Sequence, residues 1–177
     1  MSKILCVDTT SEFCSVSLFD GYELVCSTNS KIERSHSKLI ISLIDKVIKE
    51  GKIEISDVDA FSISRGPGSY TGLRIGLSCL KGFCYALDKP LISINTLKIL
   101  AKSSIEKIDD KDSYICPMID ARRMEVFTKV FNYSLEEIQK DSALILNENS
   151  FESYTNKTIY FVGSGSKKFE EISNNYN

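Results

Sequence analysis

The sequence predicts an α/β fold in which two similar lobes follow one another, each a mixed sheet flanked by helices. One observation is the order of the hydrophobic patterns, which run as three strands and a helix, then strand, helix, strand and helix. A second is a restart of this order near Tyr114, and a third is a glycine-rich turn after a strand in each half. Such a repeat within 177 residues indicates an internally duplicated fold.

The first three strands are predicted to form a meander. A short apolar strand at 3–8 and an alternating run at 14–19 precede Asp20-Gly21, and a further run follows at 22–28. An Asp-Gly pair between two alternating runs is typical of a tight hairpin turn. These strands therefore pair as antiparallel neighbours.

Helices and strands alternate through the rest of the first lobe. Ser35 or Ser37 is the predicted N-cap of a first helix that runs to Glu50 and is closed by Gly51. The later elements are a strand at 60–64, a glycine turn, a helix at 73–87, a strand at 91–94 after Pro90, and a helix from Thr96 to about 103.

The second lobe repeats this order after a break. The segment 105–113 is polar, has no periodicity and is the predicted joint between a lobe at 1–104 and a lobe at 114–177. The predicted elements of the second lobe are a strand at 114–120, a turn at 121–123, a strand at 124–131, and a strand at 158–162 that runs into Gly163-Ser164-Gly165.

Composition and residue patterns indicate a globular protein and argue against several other classes of protein. The net charge is −2 and no dense run of Lys or Arg is present, so the chain is a poor nucleic-acid binder by itself. The six cysteines form no Cys-x-x-Cys pair, which favours buried free thiols over a metal site or a disulfide framework. No signal peptide and no apolar run of about 20 residues is visible, so a cytoplasmic protein is predicted.

The segment from Ser64 to Arg74 carries the strongest local signal in the chain. It holds Gly66, Gly68 and Gly72 and one proline between a strand and a long apolar helix. Glycine permits positive φ and close backbone approach, and a helix N-terminus presents N–H groups at its positive end. Such a turn is predicted to cradle an anion, usually phosphate, and a sharp turn without a ligand is the alternative.

The first and second helices carry more apolar residues than one buried face requires. On the second helix, small residues at Gly72, Gly76, Cys79 and Ala86, with Gly82 nearby, leave one side nearly smooth. We expect one side to face the sheet and another to face a partner protein, and burial of both helices within the monomer is the alternative. The predicted partner-binding residues are Leu39, Leu43, Leu73, Leu77, Leu80 and Cys84.

Three segments closely resemble the TsaB (YeaZ) family: residues 4–10, the glycine segment 65–78, and residues 120–126. The resemblance extends from Ile4 to about Gly165. It implies the duplicated fold of the superfamily that includes actin, heat-shock proteins and ribonuclease H-like domains. Relatives generally continue with a further helix and a closing segment, so the second lobe is expected to be incomplete or a compact variant.

The related transferase TsaD carries two metal-binding histidines four residues apart, just after the strand that follows the glycine helix. Thr96 and Leu100 stand at these positions here, and Leu100 offers no ligand atom. His36 is the only histidine and is expected at a helix start or on the surface. The resemblance therefore implies a protein without a bound metal and without catalytic residues.

In the wider superfamily, carboxylates at strand ends hold a magnesium nucleotide. On this resemblance, Asp8, Gly66, Gly68 and Asp120 are the candidate cofactor-binding residues, for weak ATP or ADP binding. The alternative is that both aspartates only make the side-chain to backbone hydrogen bonds of turns.

The resemblance also implies the partners. TsaD is the expected heterodimer partner, the ATPase TsaE a further partner, and a second copy of the chain the partner when it is alone, while tRNA is contacted only indirectly. The implied function is support for TsaD in transferring threonylcarbamoyl to the tRNA adenosine next to the anticodon. The alternative is a small-molecule kinase or a metal-independent hydrolase of the same superfold.

Overall fold

A computed structural model describes residues 1–31, 36–154 and 156–173, with the backbone alone at 36–38. The chain divides into two compact units, Met1–Thr96 and Leu97–Asn177. Among the described residues, no helix combines the length and the apolarity that crossing a membrane requires.

The elements of the first unit lie close to those that the sequence predicts. Five strands form its sheet, and two long helices accompany them. In chain order they are β1 (Lys3–Asp8), β2 (Phe13–Asp20), β3 (Glu23–Lys31), α1 (His36–Glu50), β4 (Ala60–Ser64), α2 (Tyr70–Leu87) and β5 (Leu91–Ile94), with a 3₁₀ turn at Ile55–Asp57 before β4. Of the two predicted N-caps, Ser35 lies outside the described residues, and Ser37 lies within α1, where its side chain is not described.

The first sheet has the order β3-β2-β1-β4-β5. The hairpin pairs β1 antiparallel to β2 and β2 antiparallel to β3, whereas β4 and β5 lie parallel to β1. Strands buried on one face supply alternate residues to the core, and α1 and α2 cover that face. The largest fully buried side chains of this unit are Phe61, Leu5, Leu18, Ile40, Leu80, Val16 and Val47.

The second unit begins with a helix and builds a smaller sheet around two apolar clusters. Its elements are α3 (Thr96–Ile105, which starts at the last residue of the first unit), β6 (Tyr114–Asp120), β7 (Glu125–Asn132), β8 (Glu137–Ile145), β9 (Ile159–Val162) and α4 (Ser166–Ile172), with a 3₁₀ turn at Glu152–Tyr154. The sheet order is β8-β7-β6-β9.

The two sheets share one connectivity. In each, the first strand pairs antiparallel with the second and parallel with the strand that enters the glycine turn: β1 with β2 and β4, β6 with β7 and β9. This repeat confirms the duplicated α/β fold that the sequence predicts. One strand was missing from the prediction: β8 pairs only with β7, at the sheet edge, and its mostly polar residues show no clear alternation.

The boundary between the units falls before the polar segment 105–113. Leu97 and Ala101 of α3 are fully buried and cluster with Ile115 of β6 and Phe131 of β7. The helix therefore belongs to the second core, although the sequence alone assigns it to the first lobe.

Candidate functional site

The glycine turn between β4 and α2 is held in a shape that its glycines permit. Gly66 has a φ of +103°, in the region that favours glycine, and the Gly66–Pro67 peptide bond is cis. A Cβ on Gly68 would lie 2.6 Å from the carbonyl oxygen of Thr10 in the loop after β1. Ser69 then caps α2, because its hydroxyl accepts a hydrogen bond from the backbone N–H of Gly72 at 3.2 Å. The turn is thus packed against the β1–β2 loop.

Most backbone donors of this turn are already used within the chain. Of the nine residues from Arg65 to Leu73, five donate their N–H to acceptors of the chain, and Pro67 has no N–H. The five bonds are Arg65 N to Ile94 O (2.8 Å), Gly66 N to Thr96 Oγ1 (3.1 Å), Ser69 N to Thr10 O (2.7 Å), Gly72 N to Ser69 Oγ (3.2 Å) and Leu73 N to Ser69 O (2.8 Å). At most three N–H groups of this segment remain for an anion.

Asp8, at the end of β1, binds the two neighbouring segments. Its Oδ1 accepts hydrogen bonds from the backbone N–H and the hydroxyl of Thr10, both at 2.7 Å. Its Oδ2 accepts the hydroxyl of Ser64, at the end of β4, at 2.6 Å. This is an Asx turn with an added link between parallel strands, and it brings Asp8 beside the glycine turn.

Thr9 joins the same loop to α2. It is buried, and its hydroxyl donates to the carbonyl oxygen of Gly72 at 2.8 Å. A Cβ on Gly72 would lie 2.0 Å from the Thr9 carbonyl oxygen, and one on Gly76 would lie 3.2 Å from Ile63 Cδ1. The small residues Gly72 and Gly76, predicted on the smooth side of the helix, therefore contact the protein's own loop and sheet.

Asp120, at the end of β6, makes the corresponding turn in the second unit. Its Oδ1 accepts two hydrogen bonds, one from the backbone N–H of Arg122 at 2.6 Å and one from the ammonium of Lys168 at 2.6 Å. Lys168 also donates to the carbonyl oxygen of Glu125 at 3.1 Å. The hydrogen bonds from Lys168 and from the Arg122 backbone lower the pKa of the Asp120 carboxyl.

The two aspartates differ in their position relative to the glycine turn. The β1–β4 register ends with Val7 opposite Ile63, so the end of β4 reaches Asp8. The β6–β9 register ends with Pro117 opposite Val162, so β9 ends level with a residue three positions before Asp120. The second glycine turn is therefore a shifted copy of the first.

The two positions that correspond to metal-binding histidines have other contacts here. The Thr96 hydroxyl accepts a hydrogen bond from the Gly66 N–H at 3.1 Å. The Thr96 N–H in turn donates to the Gly66 carbonyl oxygen at 3.0 Å. Leu100 lies against Gly163, with 3.5 Å between Leu100 Cδ1 and an ideal Cβ on that glycine. His36 starts α1, and its side chain is not described. In the described part of the chain, no group of three or more His, Cys, Asp or Glu residues is arranged to hold a metal ion.

All six cysteines are free thiols. Cys14 and Cys116 are buried and the other four are half-buried. Burial raises the pKa of every one of these thiols, to about 11 at Cys14 and about 12 at Cys116. None has the lowered pKa of a nucleophilic cysteine.

An apolar groove of about 700 Å³ runs between α1 and α2 on the outside of the first unit. It is lined by Ile40, Ile41, Arg74, Ile75, Ser78, Cys79, Gly82, Phe83 and Ala86. Ile41 is 48% exposed, and a Cβ on Gly82 would meet no atom within 4 Å. The groove is thus open, apolar and free of backbone crowding at Gly82.

None of the six predicted partner-binding residues lines this groove. Leu80 is 0% and Leu43 is 7% exposed, so both belong to the core, and Leu39 and Cys84 are half-buried against it. Leu73 is half-buried with its Cδ1 near Gly66, and only Leu77 is exposed, at 39%. The signal for the groove was the run of small residues at Ser78, Cys79, Gly82 and Ala86, which leaves space beside α1.

Comparison with known proteins gives a consistent result. The family model described as TsaD, tRNA N6-adenosine threonylcarbamoyltransferase, matches residues 28–174. A "tRNA threonylcarbamoyladenosine biosynthesis protein TsaB" from Haemophilus influenzae is 34% identical over 124 residues, which are 70% of this chain and 51% of that protein. The protein of the same name from Escherichia coli is 32% identical over 129 residues, 71% of this chain and 53% of its own length.

A solved structure extends the likeness to the fold. YeaZ from Pseudomonas aeruginosa superposes with a TM-score of 0.72 at 27% identity, over 82% of this chain and 68% of its own. The fold is accordingly the duplicated actin-like, ribonuclease H-like fold, as the sequence predicts. The matched part of the chain spans about half the length of the two TsaB relatives.

Proposed function

Since the chain belongs to the TsaB (YeaZ) branch of the threonylcarbamoyltransferase family, we propose that it is a non-catalytic subunit in tRNA threonylcarbamoyladenosine biosynthesis. On this proposal it supports TsaD while TsaD transfers the threonylcarbamoyl group to adenosine of tRNA. TsaE joins the same assembly, and the chain pairs with itself when TsaD is absent. We expect the complex to act in the cytoplasm.

The non-catalytic role is supported by what stands at the metal positions. A transferase of the TsaD type needs two histidines on one face of a helix to share a metal. Thr96 is tied to Gly66 by two hydrogen bonds, and Leu100 is apolar and packs beside Gly163. Both side chains have structural contacts in place of ligand chemistry.

The observation that carries the partner role is the α1–α2 groove. Apolar, concave surfaces of this kind are typical of protein interfaces, since bulky apolar side chains of a partner can be buried in them. Arg74, one of the residues that line the groove, lies over the Tyr70 ring at 3.9 Å. Arg and Tyr are two of the residue types that are enriched at interface hot spots. With a net charge of −2, the chain contributes little to tRNA binding, so we assign tRNA contact to the assembly.

Reconstitution tests the function. Cognate TsaD, TsaE, tRNA and the threonylcarbamoyl adenylate are combined with and without this chain, and modified adenosine is measured. We expect modification to depend on the chain. Equal modification without the chain would exclude the proposal.

The groove is tested with single glutamates. Gly82→Glu places a charge in the groove at a position where an added Cβ meets no atom within 4 Å, so the fold is expected to persist while pairing with TsaD weakens at least tenfold. Leu77→Glu lies five residues away, about 140° around α2, and shows whether the interface extends to that side. Ile145→Glu, on an exposed apolar residue of the second unit, is the matched control. Sizing runs with TsaD measure all three.

A further inference from the structure

We propose that Lys168 is a built-in cation of the second unit: it occupies the place beside Asp120 that a divalent metal would take, and so prevents this carboxylate from holding a metal-bound nucleotide. The fold family implies such a metal site at a strand-end aspartate, and the donors present here do not fit it. The inference concerns the chain alone and goes beyond its proposed role as a subunit.

The ammonium of Lys168 is fixed by two hydrogen-bond acceptors of the same unit. Its ammonium lies 2.6 Å from Asp120 Oδ1 and 3.1 Å from the carbonyl oxygen of Glu125. The side chain is only 17% exposed, so the ammonium is held between two acceptors and has limited access to water. The same Oδ1 accepts the Arg122 N–H at 2.6 Å, so one oxygen of the carboxylate has two donors.

The position of Lys168 follows from the close approach of the start of α4 to β6. Gly165 precedes α4 and donates its N–H to the Met118 carbonyl oxygen at 3.0 Å. A Cβ on Gly165 would lie 2.8 Å from Val126 Cγ1 and 3.1 Å from Met118 Cβ, so only glycine allows this approach without displacement. Because α4 begins so close to β6, its third residue, Lys168, reaches the carboxylate at the end of that strand.

Among the described residues of the first unit, no such cation lies at the corresponding aspartate. The partners of Asp8 are the Thr10 N–H and the hydroxyls of Thr10 and Ser64, all of them neutral donors. The two turns therefore satisfy their carboxylates differently: of these two aspartates, only Asp120 has a cationic partner among the described residues.

A metal on Oδ1 of Asp120 and the Lys168 ammonium compete for the same oxygen. Mg²⁺ binds carboxylate oxygen at about 2.0–2.1 Å, so an ion on Oδ1 would lie within about 5 Å of the Lys168 ammonium. Two cations at that distance repel each other. A metal on Oδ1 binds only if the lysine moves away, and that movement breaks both hydrogen bonds of the ammonium.

Manganese alone is the probe. Mn²⁺ binds oxygen ligands like Mg²⁺, and it broadens the amide signals of nearby residues in ¹⁵N-labelled protein even when binding is weak. In the unaltered full chain we expect amides 120–126 to broaden no earlier than other exposed amides. In Lys168→Met they should broaden at a Mn²⁺ concentration at least tenfold lower.

Three further variants separate charge from structure. Lys168→Arg keeps a cation and should behave like the unaltered chain, whereas Lys168→Gln, a polar substitute, should behave like Lys168→Met. Adding Asp120→Asn to Lys168→Met should remove the early broadening. Mn²⁺ at Asp120 in the unaltered chain, or equal titrations for all forms while their spectra remain those of a folded protein, would overturn the proposal. No TsaD or tRNA is present, so the result is independent of the proposed function.

Discussion

Because Gly72 lies so close to the β1–β2 loop, we expect a single added methyl group at this position to destabilise the fold strongly. An ideal Cβ on Gly72 would lie 2.0 Å from the Thr9 carbonyl oxygen, about 1 Å inside the closest approach that real Cβ atoms show. The obstacle is backbone, which has no rotamer to change. In Gly72→Ala, either the start of α2 or the loop must move, and the bond from the Thr9 hydroxyl to the Gly72 carbonyl is lost.

The magnitude follows from three effects. Overpacking of a rigid site costs about 3 kcal/mol at the upper end of its usual range. Losing the buried hydrogen bond costs about 1 kcal/mol more, and replacing glycine by alanine in a helix returns up to about 1 kcal/mol. We expect Gly72→Ala to lower the free energy of unfolding by about 3 kcal/mol.

Gly82→Ala is the matched control. Both glycines lie on α2, but a Cβ at Gly82 meets nothing within 4 Å, so only the gain of helix propensity remains. That variant should be more stable than the unaltered chain by about 1 kcal/mol. Urea unfolding followed by circular dichroism gives both values, and amide exchange assigns the change to residues 1–96. The reasoning fails if the two variants differ by less than 1 kcal/mol.

Two further predictions concern titrating groups. Asp120 has a lowered pKa in the folded chain, so its pair with Lys168 stabilises the fold above the ordinary aspartate pKa of about 4 and is lost as the pH falls through the lower folded value. Urea unfolding between pH 2 and 5 should therefore show a shallower acid loss in Lys168→Met than in the unaltered chain, and identical slopes would contradict the pairing. Cys116 has a pKa of about 12, raised by burial, so iodoacetamide at pH 8 should leave it unmodified in the native chain and label it in urea, as mass spectrometry would show.

Most strands and helices could be predicted because their signals are local. Asp20-Gly21 marks the hairpin, and the runs at 60–64 and 114–120 are short, apolar and bounded by polar residues or glycine. Edge strand β8 had no such signal, since its partner lies on one side only and most of its side chains face water. A strand of that kind is specified by the neighbour with which it pairs.

The site was less predictable, because its contacts join residues far apart in the chain. The Asx turns at Asp8 and Asp120 involve residues two positions away and follow from the residue types. The pair of Lys168 with Asp120 spans 48 positions, and nothing in a two-lysine run indicates it. Leu80 belongs to a row of apolar residues whose helical spacing is the same whether the row faces the core or a partner protein. Only the folded structure shows that Leu80 is buried in the core.

The docking of α2 links the glycine turn to the groove. Gly72 and Gly76 press one side of the helix onto the β1–β2 loop and the sheet, which fixes the rotation of α2 about its own axis. Gly82 lies six residues after Gly76, about 120° around the helix, so that fixed rotation turns Gly82 and its small neighbours toward α1 and solvent. Most N–H groups of the turn donate hydrogen bonds within the chain and so stabilise this arrangement. A turn whose form suits a phosphate thus positions a helix, and the surface that this helix forms with α1 is the one we propose for TsaD.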